Sequence, residues 1–223
     1  ARAQYVFIDQ NGVDLNESGA VFDRYQRTES FDTWLGYRQR FNGTTTATLR
    51  GHFGLFRDQF LVDQRGSKAL DEYSVNFTRF YEAVGQVEHQ IGNHTLSGGV
   101  EGYYERLNST RIDPPLGMRG RVGVFLQDEW LINTGAGPKT TLSSGFRADV
   151  YTQFGWAPSP RVAFKVDPFP ELTVRAAFGL GFRPPSFSEL YLRFSNAGIG
   201  YVVQGNPKLQ AERSVSVNLS ADW

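Results

Sequence analysis

The chain has 223 residues, with 23 Lys and Arg against 23 Asp and Glu, no cysteine and three histidines. Balanced charge removes the basic excess that a nucleic-acid binder shows. The lack of cysteine removes disulfide scaffolds, thiolate metal sites and cysteine nucleophiles. Glycine (24) and aromatic residues (14%) are abundant, and no apolar run approaches the ~18 residues that a transmembrane helix requires. The opening "ARAQYVFIDQ" has no basic start followed by an apolar stretch, so it does not read as a secretory signal, and the chain is expected to be mature, trimmed or excised.

Two-residue alternation dominates the chain and helical spacing is nearly absent. Weak strands are predicted near 3–9, 20–28 and 32–41. In 44–56, Ala47, Leu49, Phe53 and Leu55 oppose Thr46, Thr48, Arg50 and His52. In 73–91, Tyr73, Val75, Phe77, Tyr81, Ala83, Val87 and Ile91 share one side, with Arg79 and His89 as exceptions. In 94–106, Leu96, Val100 and Tyr104 oppose Ser97, Glu101, Tyr103 and Glu105. In 121–132, Val122, Val124, Leu126 and Trp130 oppose Arg121, Gln127 and Glu129. The pattern continues through 139–154, 161–166, 171–182 and 214–223, for about eleven strands in all.

A soluble sandwich and a membrane barrel both alternate, but their strand lengths differ. Sandwich strands run about five or six residues, whereas a tilted membrane strand needs roughly 9–11. The runs 73–91 and 139–154 exceed a dozen residues, and their polar faces carry Arg, Asp, Glu and Gln at mid-strand, as a hydrated lumen tolerates. Short turns are predicted at "NG" 42–43, "GN" 92–93 and "DPFP" 167–170, alternating with long links around 57–72, 107–120 and 183–213. Phe41, Trp130, Trp156 and Phe169 lie near strand ends, where interface girdles form. The expected fold is an all-β antiparallel transmembrane β-barrel in the bacterial outer membrane, in contact with its lipid. Alternative readings are a passive or engineered pore and a soluble β-sandwich binding module.

Pro184 and Pro185 cannot donate ladder hydrogen bonds, so they end the strand 171–182 and open a long loop. Here "GFRPPSFSELY" (181–191) and "GNPKLQAERS" (205–214) resemble the paired boxes of TonB-dependent outer-membrane receptors. Gly181, Phe182, Arg183, Pro185, Glu189, Leu190 and Tyr191 match the first box. Gly205, Asn206, Pro207, Leu209, Glu212 and Ser214 match the second. Pro184 stands where the family has Ala, and Ala211 where it has Pro.

The resemblance implies a 22-stranded barrel plugged by an N-terminal domain, importing a scarce ligand such as a ferric siderophore with energy from the TonB complex. Neither a plug domain nor an energy-coupling box is legible here. Residues 1–223 are thus expected to be a barrel portion without a plug, taken from a larger receptor or a truncated barrel.

The segment 186–204 contains no histidine of the kind that serves haem uptake in the family, and His52, His89 and His94 are scattered. No metal site and no cofactor are expected. An anionic ferric chelate calls for guanidinium and aromatic groups, so Arg183, Tyr191, Arg193, Asn196, Tyr201 and Gln204 are the loop candidates. Arg183 is also expected to pair with Glu189 or Glu212 and pin the loop. Arg147, Asp149, Arg161 and Arg175 are expected to face the lumen, in a cross-strand charge ladder rather than in direct ligand contact. Enzyme chemistry finds no support. No G-x-S-x-G elbow or phosphate loop is present, and Glu101 and Glu105 on one strand face lie roughly 13 Å apart.

Overall fold

The computed structural model describes residues 1–15, 19–69, 71–132, 137–196 and 201–223. Its strands in chain order are β1 (Arg2–Leu15), β2 (Val21–Arg40), β3 (Thr45–Gln64), β4 (Glu72–Ile91), β5 (His94–Ser109), β6 (Leu116–Ile132), β7 (Lys139–Tyr151), β8 (Gly155–Phe169) and β9 (Leu172–Arg183). A short helix α1 (Phe187–Tyr191), strands β10 (Arg193–Asn196) and β11 (Tyr201–Gln204), and a last strand β12 (Glu212–Asp222) complete the chain. Ten strands form one antiparallel sheet in the order β1-β2-β3-β4-β5-β6-β7-β8-β9-β12, and β10-β11 is a separate hairpin. Strands β1 and β12 are its two edges, so the sheet is an open segment of a barrel wall.

Several strand limits differ from those expected. The segments 20–28 and 32–41 are one continuous strand, β2. Strand β3 runs on to Gln64, β5 to Ser109, and β6 starts at Leu116. The long links at 57–72 and 107–120 therefore shrink to 65–71 and 110–115. Asp167 to Phe169 lie within β8 across a register irregularity, and the turn sits at 170–171. The link expected at 183–213 contains α1 and the β10-β11 hairpin.

Cross-strand partners fix which side chains share a face. One row runs His52, Glu82, Tyr103, Arg121 and Tyr151. A second runs Val84, Glu101, Gly123, Asp149 and Ala157. These polar rows make the inner face. The opposite face carries Leu49, Phe53, Tyr81, Val100, Tyr104, Val122, Leu126, Phe146, Val150 and Phe164. These apolar side chains stay open, Leu126 at 62% and Val150 at 58%. Among the described residues only Ile112, Ala157, Phe187 and Leu190 are buried apolar groups. A sandwich would bury that face against a second sheet. No second layer covers it among the described residues, and an open apolar band on one face is what a barrel wall presents to lipid.

The height of the band follows from chain geometry. Tyr81 on β4 and Tyr104 on β5 are register partners. They lie about ten residues from the 92–93 turn, the length that carries a tilted strand across the hydrocarbon. Beyond that row the outer face turns charged, with Arg27 bonded to Asp9 at 3.0 Å and Arg57 paired with Glu29 at 3.6 Å. Strands β2 to β5 thus project past the membrane on the rim that carries the longer links.

Candidate functional site

Strand β9 stops where Pro184 and Pro185 withdraw backbone donors. Ser186 then caps α1. Its hydroxyl accepts from the Glu189 amide at 3.2 Å, while its own amide donates to the Glu189 carboxylate at 2.6 Å. This reciprocal cap is legible as Ser-x-x-Glu in the sequence. Arg183 spreads its guanidinium over two carboxylates, at 2.8 Å to Glu189 and 3.0 Å to Glu212. Arg183 and Glu212 are also register partners on β9 and β12. The Arg183 bonds, with the Ser186 amide and hydroxyl, hold the Glu189 carboxyl below its ordinary 4.5, at about 2. The arginine of the first box therefore ties a carboxylate of each box to the rim.

The second box lies directly on the first. The Gly205 amide donates to the Leu192 carbonyl at 2.7 Å, and the Asn206 amide to the Glu189 carbonyl at 2.9 Å. A Cβ on Gly205 would stand 2.6 Å from the Tyr191 amide nitrogen and 2.7 Å from the Leu192 nitrogen. The Asn206 side chain accepts the Lys208 amide at 3.0 Å, which turns the chain at Pro207. Gly181 makes room for the Ser214 hydroxyl, its register partner. Between the boxes, Phe182, Leu190, Tyr191, Pro207, Leu209 and Arg213 border a cavity of about 550 Å³.

The segment between the boxes folds inward across the rim. Phe187, 5% exposed, packs on Gly117, whose missing Cβ would stand 2.6 Å from the ring. Arg119 lays its guanidinium 4.8 Å above the Phe187 ring and donates to the Pro185 carbonyl. Arg119 pairs with Glu105 in register and so belongs to the inner face. On its other side the segment meets the 110–115 link. Ile112 bridges to Leu192, and the Asp113 amide donates to the Tyr191 carbonyl at 2.9 Å. The Arg193 amide donates to the Arg111 carbonyl at 2.8 Å, and its side chain reaches Asp113 at 2.9 Å. Arg111 sits 4.9 Å above the Phe194 ring.

The loop candidates separate by environment. Tyr191 is half-buried at the end of α1. Arg193 and Gln204 are register partners in the exposed hairpin, and Tyr201 lies 6.0 Å from the Phe194 ring. Asn196 pairs with Tyr201 along the backbone, and its side chain lies outside the described residues.

Arg147 and Asp149 share the inner face in a network that also includes Glu101 and Arg121. Arg147 reaches Asp149 at 2.7 Å and Glu101 at 2.8 Å, and Arg121 pairs with Glu101. Arg161 donates to Gln127 at 3.1 Å, and Arg175 pairs with Asp222. The three histidines go to separate partners, His52 to Asp32, His89 to Thr45 and His94 to Asp128. Sequence reasoning did not assign Glu101, Arg121, Arg119 or Phe187 to these clusters. For Glu101 and Arg121 the only signal was a polar position in an alternating strand, which says nothing of its partner.

Residues 2–223 match the family model described as TonB dependent receptor-like, beta-barrel. The chain belongs to the TonB-dependent receptor family. The iron-regulated outer membrane virulence protein of Vibrio cholerae serotype O1 is 29% identical over 170 residues, covering 73% of this chain and 24% of that protein. The chain thus spans about a quarter of the length of the curated relatives it matches. Among solved structures, the siderophore receptor PirA from Pseudomonas aeruginosa superposes with a TM-score of 0.61 at 16% identity, over 98% of this chain and 52% of that one. A variant of the ferric enterobactin receptor PfeA from the same organism gives 0.59 at 13% identity, over 98% and 48%. At such identities the superpositions speak for the fold alone, a membrane barrel of which the ten-stranded sheet is part. The barrels of this family sit in the bacterial outer membrane, and its members are receptors rather than enzymes.

Proposed function

We propose that this chain is wall and mouth of a receptor that brings a ferric siderophore across the outer membrane, with energy from the TonB complex. Residues 1–223 supply barrel wall and none of the plug. The observation that carries this reading is the clamp of the two boxes, in which Arg183 binds Glu189 and Glu212 together. That clamp fixes the intervening hairpin above the inner face, where an incoming ligand must pass.

The hairpin has the chemistry that an anionic ferric chelate requires. Guanidinium groups pair with catecholate or carboxylate oxygens, and rings stack on flat ligand surfaces. Arg193, whose exposed side chain also pairs with Asp113, and the open Tyr201 make the first contacts, and Tyr191, Asn196 and Gln204 are the further candidates. Arg183 already serves two carboxylates, so it acts on the ligand by holding the loop. The names of the relatives support the iron-siderophore reading: one is iron-regulated, and two of the solved structures are siderophore receptors.

The test is uptake of a radiolabelled ferric catecholate by iron-starved cells whose other siderophore receptors are deleted. Uptake is expected with the intact protein and is expected to vanish in a strain lacking TonB. An Arg193→Ala, Tyr201→Ala pair should lower uptake at least tenfold while the protein remains in the outer membrane. Equal uptake with and without TonB would replace the import reading by that of a passive pore.

A further inference from the structure

The outer face carries a feature that siderophore import does not use. Arg79 on β4 and Arg106 on β5 are direct register partners, one pair above the Tyr81–Tyr104 row. Like charges set directly opposite on a sheet repel. Among the described residues neither arginine has a carboxylate partner. The Arg79 guanidinium lies 4.6 Å above the Phe77 ring, and the Arg106 Nε is buried without a hydrogen-bond acceptor. Their neighbours on the outer face are Leu55, Phe77, Tyr81, Tyr104, Asn108 and Met118, none of them acidic. The nearby Arg57, by contrast, has Glu29.

The height of the pair says what can meet it. Tyr81 and Tyr104 stand where a tilted strand leaves the hydrocarbon, so the next pair on the outer face, Arg79 and Arg106, falls at headgroup level. Directly below, the outer face is hollowed. Gly51, Ala83 and Gly102 form the floor of a trough of about 700 Å³, and Phe53, Tyr81 and Tyr104 stand along its upper edge. The Phe53 and Tyr81 rings lie 5.0 Å apart, and Tyr81 and Tyr104 6.4 Å.

We propose that this face binds a phosphate-bearing lipid of the outer leaflet, its phosphate held between Arg79 and Arg106 and an acyl chain laid in the trough. One phosphate relieves the repulsion of both guanidiniums and gives each a charge-assisted acceptor. The small residues of the floor let an acyl chain approach the backbone, which a lipid-facing leucine or phenylalanine would prevent. Both features are lipid-facing and lie mid-sheet, so they do not depend on the edges of the open segment or on which ligand is imported.

The test is native mass spectrometry of the full protein extracted from outer membranes in mild detergent, titrated with a bis-phosphorylated acylated glucosamine disaccharide. Dephosphorylated glycolipid and inorganic phosphate are run alongside. The unmodified protein is expected to hold the phosphorylated lipid and to hold neither comparator at the same concentration. Arg79→Gln with Arg106→Gln should weaken retention roughly thirtyfold, from the loss of two cationic contacts at an anionic surface. Arg79→Lys with Arg106→Lys should restore most of it. Heat-modifiable mobility on gels confirms that each variant is folded, and removing a repulsive pair does not endanger folding. Equal retention by the unmodified and Gln proteins would overturn the proposal, as would equal binding of the dephosphorylated lipid. Capture of inorganic phosphate alone would assign the pair to a soluble anion and overturn it as well.

Discussion

Gly205 lies against the backbone of Tyr191: a Cβ at position 205 would come 2.6 Å from the Tyr191 amide nitrogen. The obstructing atoms are main chain, held by the Gly205-to-Leu192 and Asn206-to-Glu189 bonds, so no side chain can swing aside. Gly205→Ala is expected to cost roughly 1–3 kcal/mol of local stability through forced displacement. The strands should persist and the boxes should part. Limited proteolysis of the intact protein in detergent checks this, with cleavage expected to appear between 184 and 211.

Arg183→Ala frees two carboxylates at one rim. Glu189 and Glu212, both bound to Arg183, would then repel one another, and the loop should become protease-sensitive. Arg183→Lys should rescue it only in part, because one ammonium cannot reproduce a fork that serves both groups.

The clamp also carries a pH signature. Glu189 is held at about 2, below its ordinary 4.5. A depressed carboxyl contributes stability above its ordinary value, and that contribution fades as pH falls towards the depressed one. Loop protection should therefore be flat from neutral pH down to about 5 and decline between about 4.5 and 2. Hydrogen exchange of the 186–191 amides across that range reads it directly. In Arg183→Ala the titration of Glu189 should move up towards its ordinary value.

Phe187→Ala removes the ring that fills the space above Gly117 and supports Arg119. A buried phenylalanine lost without collapse of its site costs roughly 3 kcal/mol. The loss should fall on docking of the loop and spare the ten-stranded sheet. Global thermal unfolding should hardly move, while loop protection and the uptake proposed above fall together.

Asp149→Asn tests the inner network. Asp149 is 6% exposed and pairs with Arg147 at 2.7 Å, beneath a glycine, Gly123, whose Cβ would stand 2.7 Å from the Arg147 Nη2. Neutralising it leaves two arginines to share Glu101. The expected cost is about 1–3 kcal/mol, read as a lower temperature for the loss of heat-modifiable mobility. Glu101→Gln should act alike, and the double variant should cost less than the sum, since both serve the same guanidiniums.

How much of this was legible depended on the solvent each face meets. Between the turns and the tyrosine row, one face touches lipid and the other water, so residues such as Val122, Val124 and Leu126 against Arg121 and Gln127 display the period of two. Past that row and the headgroup level just above it, both faces are wet. The alternation fades although the hydrogen-bonded ladder continues, which is why β2 reads as two strands and β3 seems to end before residue 57. The boxes were legible because their residues meet local demands that sequence shows: Pro185 withdraws a donor, Gly205 admits a close backbone approach, and Arg183, Glu189 and Glu212 offer paired charges. The partners of Arg183 could be read from the carboxylates of the two boxes, whereas Asp113 as the partner of Arg193 could not.

By itself the sequence determined an all-β chain, its lipid-facing band and the two boxes that close a loop, because alternation and turn chemistry are local. Only the tertiary structure decided the rest. Register across β5, β6 and β7 brought Glu101, Arg121, Arg147 and Asp149 together and set Arg79 opposite Arg106. Folding of α1 onto Gly117 turned the loop inward. Shifting a strand by two residues preserves every face and changes every partner, so a pattern that reads faces well cannot read partners.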